Sequence, residues 1–171
     1  GVDLDARAAW STGAGKFSVG WSATYMSRWE SQNPDGTYTS DLGTTSGSVT
    51  GYIPRFRHTT SGTWAYCDWI VSGQYNWQSG ATDICGNLLQ DDFGNCPAGS
   101  GTKTSAYETI DAQVQYTGIK HLQLTAGVRN LLDRDPPYVN GSGGAFQAGY
   151  DPTYVDPRGR FLYVNVSYQF R

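Results

Sequence analysis

The sequence has no long hydrophobic run. Its longest apolar stretches are four residues, "WAYC" and "FLYV". A transmembrane helix needs about 20, so a helical membrane span is excluded. Charge is scarce too. Asp, Glu, Lys and Arg make up 16% of 171 residues, the net charge is -3 and the pI is near 5.2. Without clustered basic residues the chain lacks the electrostatic footprint of a nucleic-acid binder, and no nucleic-acid partner is expected. Histidine occurs only at His58 and His121, neither with a cysteine or carboxylate at ligand spacing. GxSxG, HExxH and GxGxxG are all missing. No metal and no cofactor are therefore expected, a hydrolase is the least favoured class for want of a nucleophile–base pair, and no enzymatic activity is expected. The opening "GVDLDARAAW" has neither a basic n-region nor an apolar h-region. It reads as mid-strand, and the expectation is a fragment of something longer.

Cysteines number three. Cys85 and Cys96 flank an acidic, Gly-rich loop, "CGNLLQDDFGNC". The expectation is a Cys85–Cys96 disulfide formed in an oxidising compartment, with free buried thiols as the alternative. Asp91 and Asp92 in that loop match no EF-hand spacing and read as solvated. Cys67 stands alone in an aromatic strand and reads as a small apolar residue.

What is abundant points to strands and turns. Aromatics reach 14% and glycines number 22, a mixture that suits pleated surfaces rather than helical bundles. Side chains alternate with period two. Val2, Leu4, Ala6, Ala8 and Trp10 oppose Asp3, Asp5 and Arg7. Phe17, Val19, Trp21, Ala23 and Tyr25 oppose Ser18, Gly20, Ser22, Thr24 and Arg28. Leu122, Leu124, Ala126 and Val128 oppose His121, Gln123, Thr125, Gly127 and Arg129, and Leu162, Val164, Val166, Tyr168 and Phe170 oppose Asn165, Ser167 and Gln169. The pattern predicts seven strands, roughly 2–11, 16–30, 53–61, 63–78, 103–117, 121–131 and 160–170.

The connections between these strands alternate short and long: "STGAGK", 30–53, "SGT", 79–103, "TGIKH" and 132–159. Short turns on one side and long loops on the other are the pattern of a membrane barrel; a soluble sandwich spaces its turns more evenly. The fold class is therefore all-β: an antiparallel transmembrane β-barrel segment of about seven strands, part of a larger barrel. Its apolar faces, with Val19, Trp21, Leu124, Val128, Val164 and Val166, are expected to meet lipid. Arg7, Arg28, Arg129 and Gln123 are expected on the lumen side. Asp3, Asp5 and Asp111 share polar faces with Arg7, Arg28 and Arg129, and structural ion pairs are expected there. Trp10, Tyr25, Trp29, Trp69, Tyr75, Trp77, Tyr116 and Tyr168 fall mostly near strand ends, where amphipathic rings form interfacial girdles. The competing class is a soluble carbohydrate-binding β-sandwich, with its apolar faces buried between two sheets and its exposed rings stacking on sugars.

The run "GVRNLLDRDPPYVN", followed by "FQAGYDPTYVDPRGRFLYVNVSYQF", resembles the C-terminal end of TonB-dependent outer-membrane receptors. "YIPRFRHTTSGTWAYCDW" and "SAYETIDAQVQYTGIKHLQLTAGVRNLLD" are also similar to that family, so the resemblance covers most of residues 50–170. It implies a Gram-negative outer-membrane location and a barrel of about 22 strands around a plug. It also implies uptake of a scarce nutrient such as a ferric siderophore, cobalamin or oligosaccharide, driven through TonB. Residues 1–171 then correspond to the C-terminal part of the barrel, with the plug and the TonB-contacting box outside them. The implied partners are outer-membrane lipid, the remaining strands and plug, TonB through the missing N-terminal part, and the barrel-assembly machinery. Tyr168 and Phe170 in the final aromatic strand resemble the signal read by that machinery. In the family, plug apices and extracellular loops contact ligand, which makes Arg55, Arg57, Trp77 and Phe146 candidate contacts.

Overall fold

The computed structural model describes residues 1–40, 42–45, 52–83, 103–139, 149–150 and 155–170. Among them there is no helix. Seven long strands form one antiparallel sheet: β1 (Val2–Thr12), β2 (Gly15–Tyr25), β6 (Phe56–Tyr66), β7 (Trp69–Gln78), β9 (Tyr107–Ile119), β10 (Leu122–Arg129) and β11 (Phe161–Tyr168). Four short strands lie in the long connections: β3 (Ser31–Gln32), β4 (Tyr38–Thr39), β5 (Thr44–Thr45) and β8 (Thr82–Asp83). The order of the large sheet is β1-β2-β6-β7-β9-β10-β11. Each long strand lies beside its predecessor, and β1 and β11 each have one neighbour. The sheet is open.

Register makes this sheet two-faced. Ala6, Trp21, Thr60, Tyr75 and Ile110 are successive cross-strand partners, and so are Ala112, Val128 and Leu162. Because side chains alternate along a strand, these rows fix the facing of the paired residues, except where the β9–β10 register shifts between Leu122 and Leu124. The apolar sets of β1, β2, β10 and β11 fall on a single face. Nothing among the described residues covers it: Leu162, Val164 and Val166 are 72%, 77% and 62% exposed. A sandwich would bury these side chains against a second sheet.

Several boundaries differ from the sequence expectation. The turn expected at "SGT" is mid-strand, since Gly62 pairs with Val19 on one side and Gly73 on the other. The true reversal is at Cys67–Asp68, with Cys67 at φ 50°. A glycine between a serine and a threonine looks like a turn, but here it lies flat between two strands. β2 stops at Tyr25 rather than near residue 30, because the Met26 amide turns away to the Arg55 carbonyl at 2.8 Å. Arg28 is therefore off the strand. It pairs with Glu30 at 2.6 Å instead of facing a lumen. β9 starts at Tyr107, not residue 103.

The buried residues are mostly outside the sheet. Ala23 belongs to β2 and Tyr107 opens β9, but Leu42, Tyr52, Ala81, Val139 and Val155 come from the three long connections. These connections tie together by backbone bonds. The Gly43 amide donates to the Ile53 carbonyl, the Thr82 amide to the Gly43 carbonyl and the Thr104 amide to the Ala81 carbonyl, each at 2.8 Å. β5 and β8 pair in parallel, and the Tyr52 hydroxyl donates to the Ser79 carbonyl. The long-loop end thus has its own small core, while the sheet has none.

Candidate functional site

On the polar face most of the alternate residues of β2, β6, β7 and β9 are hydroxyls or amides, with Gly20, Arg57 and Asp111 among the exceptions. Near the long-loop end this wall bounds a concavity of about 480 Å³, lined by Ser22 and Thr24 of β2, Arg57 and Thr59 of β6, Asn76 and Gln78 of β7, and Thr109 of β9. Asp156, from the last long connection, closes one side. A second concavity of about 330 Å³ lies nearer the short turns, beside Ser61, Thr63, Ser72, Gln74, Gln113 and Arg129. Such a wall offers neutral donors and acceptors in a ladder: Thr59 bonds Asn76 at 3.1 Å, and Gln74 bonds Asn76 at 2.7 Å. The alternation of Ser, Thr, Asn and Gln is visible in the sequence, but not that β2, β6, β7 and β9 bring these residues together into one concave wall.

Charges on this face are sparsely paired. The ion pairs expected between Asp3, Asp5 or Asp111 and Arg7, Arg28 or Arg129 are not formed; among the described residues the ion pairs are Arg28–Glu30 and Arg158–Asp156. Asp111 instead accepts the Asn130 backbone N–H at 2.8 Å. A backbone donor at the strand end competes better than a long guanidinium whose ordering costs entropy. Arg57 is exposed at the concavity, with no ion pair among the described residues.

The motif at the end of β10 and the motif before β11 form one clasp. Asn130 is buried at 6% exposure. Its side chain donates to the Arg134 carbonyl at 2.9 Å and accepts the Arg134 N–H at 2.8 Å. The Asp133 carboxylate then accepts the Arg160 N–H at 2.7 Å, and the Arg160 guanidinium donates to the Leu131 carbonyl at 2.9 Å. Between them Gly159 sits at φ 65°, with Asp133 Oδ1 only 2.9 Å from where a side chain would begin. The spacing of "NLLDRD" and "DPRGR" is therefore that of two halves of a hydrogen-bonded junction. Beside it Asp156 is held down to about 2, first by hydrogen bonds from the Arg158 side chain, then by one from the Arg158 backbone, with a smaller pull from Arg129. Arg158 also lies 5.3 Å from the Phe161 ring centre.

The other sequence candidates separate. Arg55 is exposed and lends its carbonyl to Met26. Trp77 falls in the outward row opposite His58 and Glu108, although it also borders the upper concavity. Tyr168 and Phe170 meet edge to face at 4.8 Å, and Phe170 is 90% exposed. Phe146, Cys85 and Cys96 lie outside the described residues.

Comparisons agree with this architecture. The family described as "TonB dependent receptor-like, beta-barrel" matches residues 1–131. A ferric enterobactin receptor mutant from Pseudomonas aeruginosa is similar at 24% identity with a TM-score of 0.61, over 98% of this chain and 22% of its own length. Another mutant of that receptor, solved in complex with enterobactin, gives 23% identity and a TM-score of 0.56 over 98% and 22%. A siderophore receptor from Acinetobacter baumannii gives 15% and 0.51 over 97% and 21%. No curated protein matches the sequence. The chain thus spans about a fifth of the length of the solved receptors it resembles.

Proposed function

Because the chain belongs to the TonB-dependent receptor β-barrel family, we propose that it is the C-terminal portion of an outer-membrane receptor that takes up a scarce nutrient. The domain reading is residues 1–171 as barrel, with the plug and the remaining strands supplied by the rest of the protein. The observation that carries the proposal is the two-faced open sheet. One face is largely apolar, with His58, Thr60 and Glu108 as polar exceptions on β6 and β9, and the other is a concave wall rich in hydroxyls and amides. Only a closed barrel leaves no strand edge unpaired in hydrocarbon. Both edges of this sheet call for further strands.

In this reading the chain carries no catalysis; its role is to form a passage wall and part of the mouth. Its solved neighbours, receptors for siderophores, favour a ferric siderophore over cobalamin or an oligosaccharide. Arg57, at the upper concavity and without an ion pair, is the foremost candidate contact, since a guanidinium grips an anionic chelate through paired N–H donors. The test is uptake of iron-55-labelled siderophores by cells carrying the full-length gene or its deletion. Uptake that disappears on deletion, and also when TonB is removed, is expected. Unchanged accumulation of every siderophore, cobalamin and oligosaccharide tried would contradict the transport reading.

A further inference from the structure

Register sets out the charges of the concave face row by row. In the inward row nearest the long connections, Asp3, Thr24, Arg57, Gln78 and Tyr107 are successive cross-strand partners. In the next inward row they are Asp5, Ser22, Thr59, Asn76 and Thr109. These rows hold two carboxylates, one guanidinium and otherwise neutral groups. The row beneath carries Arg7 and Asp111, with Arg129 beside Asp111 on the lower concavity. Asp156, from the last long connection, brings its own counter-ion: Arg158 Nε lies 2.9 Å from one carboxylate oxygen and Nη2 2.5 Å from the other. This part of the wall is therefore neutral in sum and acidic at its upper edge.

The upper concavity keeps neutral hydrogen-bonding groups open. The Asn76 amide is engaged by Thr59, Gln74 and Thr109. The side chains of Ser22, Thr24 and Gln78 make no hydrogen bond among the described residues, and Arg57 makes no ion pair among them. A ligand with many neutral hydrogen-bonding groups finds partners here. A polyanion does not. One guanidinium leaves most of its charge without a partner once water is displaced, and that is costly. Asp3 and Asp5 add repulsion.

We propose that the upper concavity takes a ferric chelate without net charge, of the hydroxamate class and rich in amides and hydroxyls, and discriminates against a polyanionic catecholate chelate. This rests on the reading of the chain as part of a ferric-siderophore receptor and names the chemical class of its ligand. In a trihydroxamate the ferric ion cancels the charge of the groups that hold it. Arg57 donates paired N–H groups to the anionic oxygens of one hydroxamate. Ser22, Thr24 and Gln78 meet the neutral frame of the ligand. Asp3 is two strands from Arg57, about 10 Å at ordinary strand spacing, near enough to repel a polyanion. Selectivity thus arises from charges that the favoured ligand does not feel.

The experiment is titration calorimetry of the full-length protein in detergent at moderate salt. The probes are ferrichrome, an uncharged trihydroxamate, and ferric enterobactin, a trianionic tris-catecholate. Ferrichrome is expected to bind roughly tenfold tighter or more, since only the trianion leaves charge without a partner. Changing Asp3→Asn and Asp5→Asn together is expected to tighten ferric enterobactin roughly fivefold, the effect of removing two charges about 10 Å from a trianion. It is expected to leave ferrichrome unchanged. Both side chains are exposed, so the paired change does not disturb folding. Arg57→Gln is expected to weaken ferrichrome about tenfold, the worth of a charge-assisted hydrogen bond. Equal or tighter binding of ferric enterobactin by the wild type would overturn the charge selection and leave the uptake reading standing. So would a paired change that alters both ligands alike or neither. Binding of neither complex would overturn the inference; the uptake reading falls with it only if siderophore uptake by cells is absent too.

Discussion

A methyl group on Gly127 would overlap the ring of Tyr163, which lies across that glycine from the neighbouring strand. From there the Tyr163 hydroxyl donates to Gln113 at 3.0 Å, so one side chain spans β11, β10 and β9 on the polar face. Gly127→Ala must push the ring aside and break that bond, but what moves is the far end of a half-buried side chain, so little is lost beyond the hydrogen bond. Gly127→Ala and Tyr163→Phe are each expected to cost about 0.5–1.5 kcal/mol. Denaturant titration of the full-length protein in lipid vesicles is expected to give similar losses for the two, and a much larger loss for Gly127→Ala would show that the ring has nowhere to go. A second prediction at this scale concerns Asp156, whose carboxyl sits near 2 rather than the ordinary value, because Arg158 binds its charged form. A depressed acid stabilises the fold above its unfolded pKa, about 3.9, and that contribution disappears as pH falls through the folded value. The junction around Asp156 is therefore expected to be indifferent to pH above about 5 and to loosen between about 4 and 2. The pair is half-exposed, so the effect is small. Hydrogen exchange of the Arg158 amide as a function of pH measures it, and Asp156→Asn removes the dependence.

Alternation makes strands legible one at a time. β1, β10 and β11 came out of the sequence within a residue or two, because each shows apolar and polar side chains in strict turn. β6 and β7 did not divide correctly. Gly62 and Gly73 interrupt their patterns, and only cross-strand pairing tells a flat glycine from a turning one. The polar wall was legible as alternation but not as a site, since its residues come from β2, β6, β7 and β9 and meet only through register. The clasp of Asn130, Asp133 and Arg160 is illegible for a related reason: its halves are far apart in sequence. Facing has an energetic consequence at this scale. Arginine placed on the lipid face near mid-membrane costs about 2–4 kcal/mol. Val164→Arg is therefore expected to destabilise the barrel by that amount, while Asn165→Arg, one residue on and facing the polar side, is expected to be nearly neutral. Equal losses for the two variants in folding titrations would deny the two-faced sheet.

As a whole the seven strands make an object that cannot close upon itself in the antiparallel manner. β1 and β11 both run from the long-loop end to the short-turn end, so the two edges are parallel to each other. Each presents a row of N–H and C=O groups that need a partner, and the apolar face needs a solvent other than water. A larger barrel in a bilayer meets both needs at once. The most direct measurement is residue-by-residue accessibility along Phe161–Tyr168 in the full-length protein in bilayers, with a spin label at each position in turn. Leu162, Val164, Val166 and Tyr168 are expected to be reached by oxygen dissolved in lipid, and Phe161, Tyr163, Asn165 and Ser167 are not, giving an oscillation of period two. An apolar row shielded from oxygen and from water-soluble reagents alike, as between two packed sheets, would contradict the account.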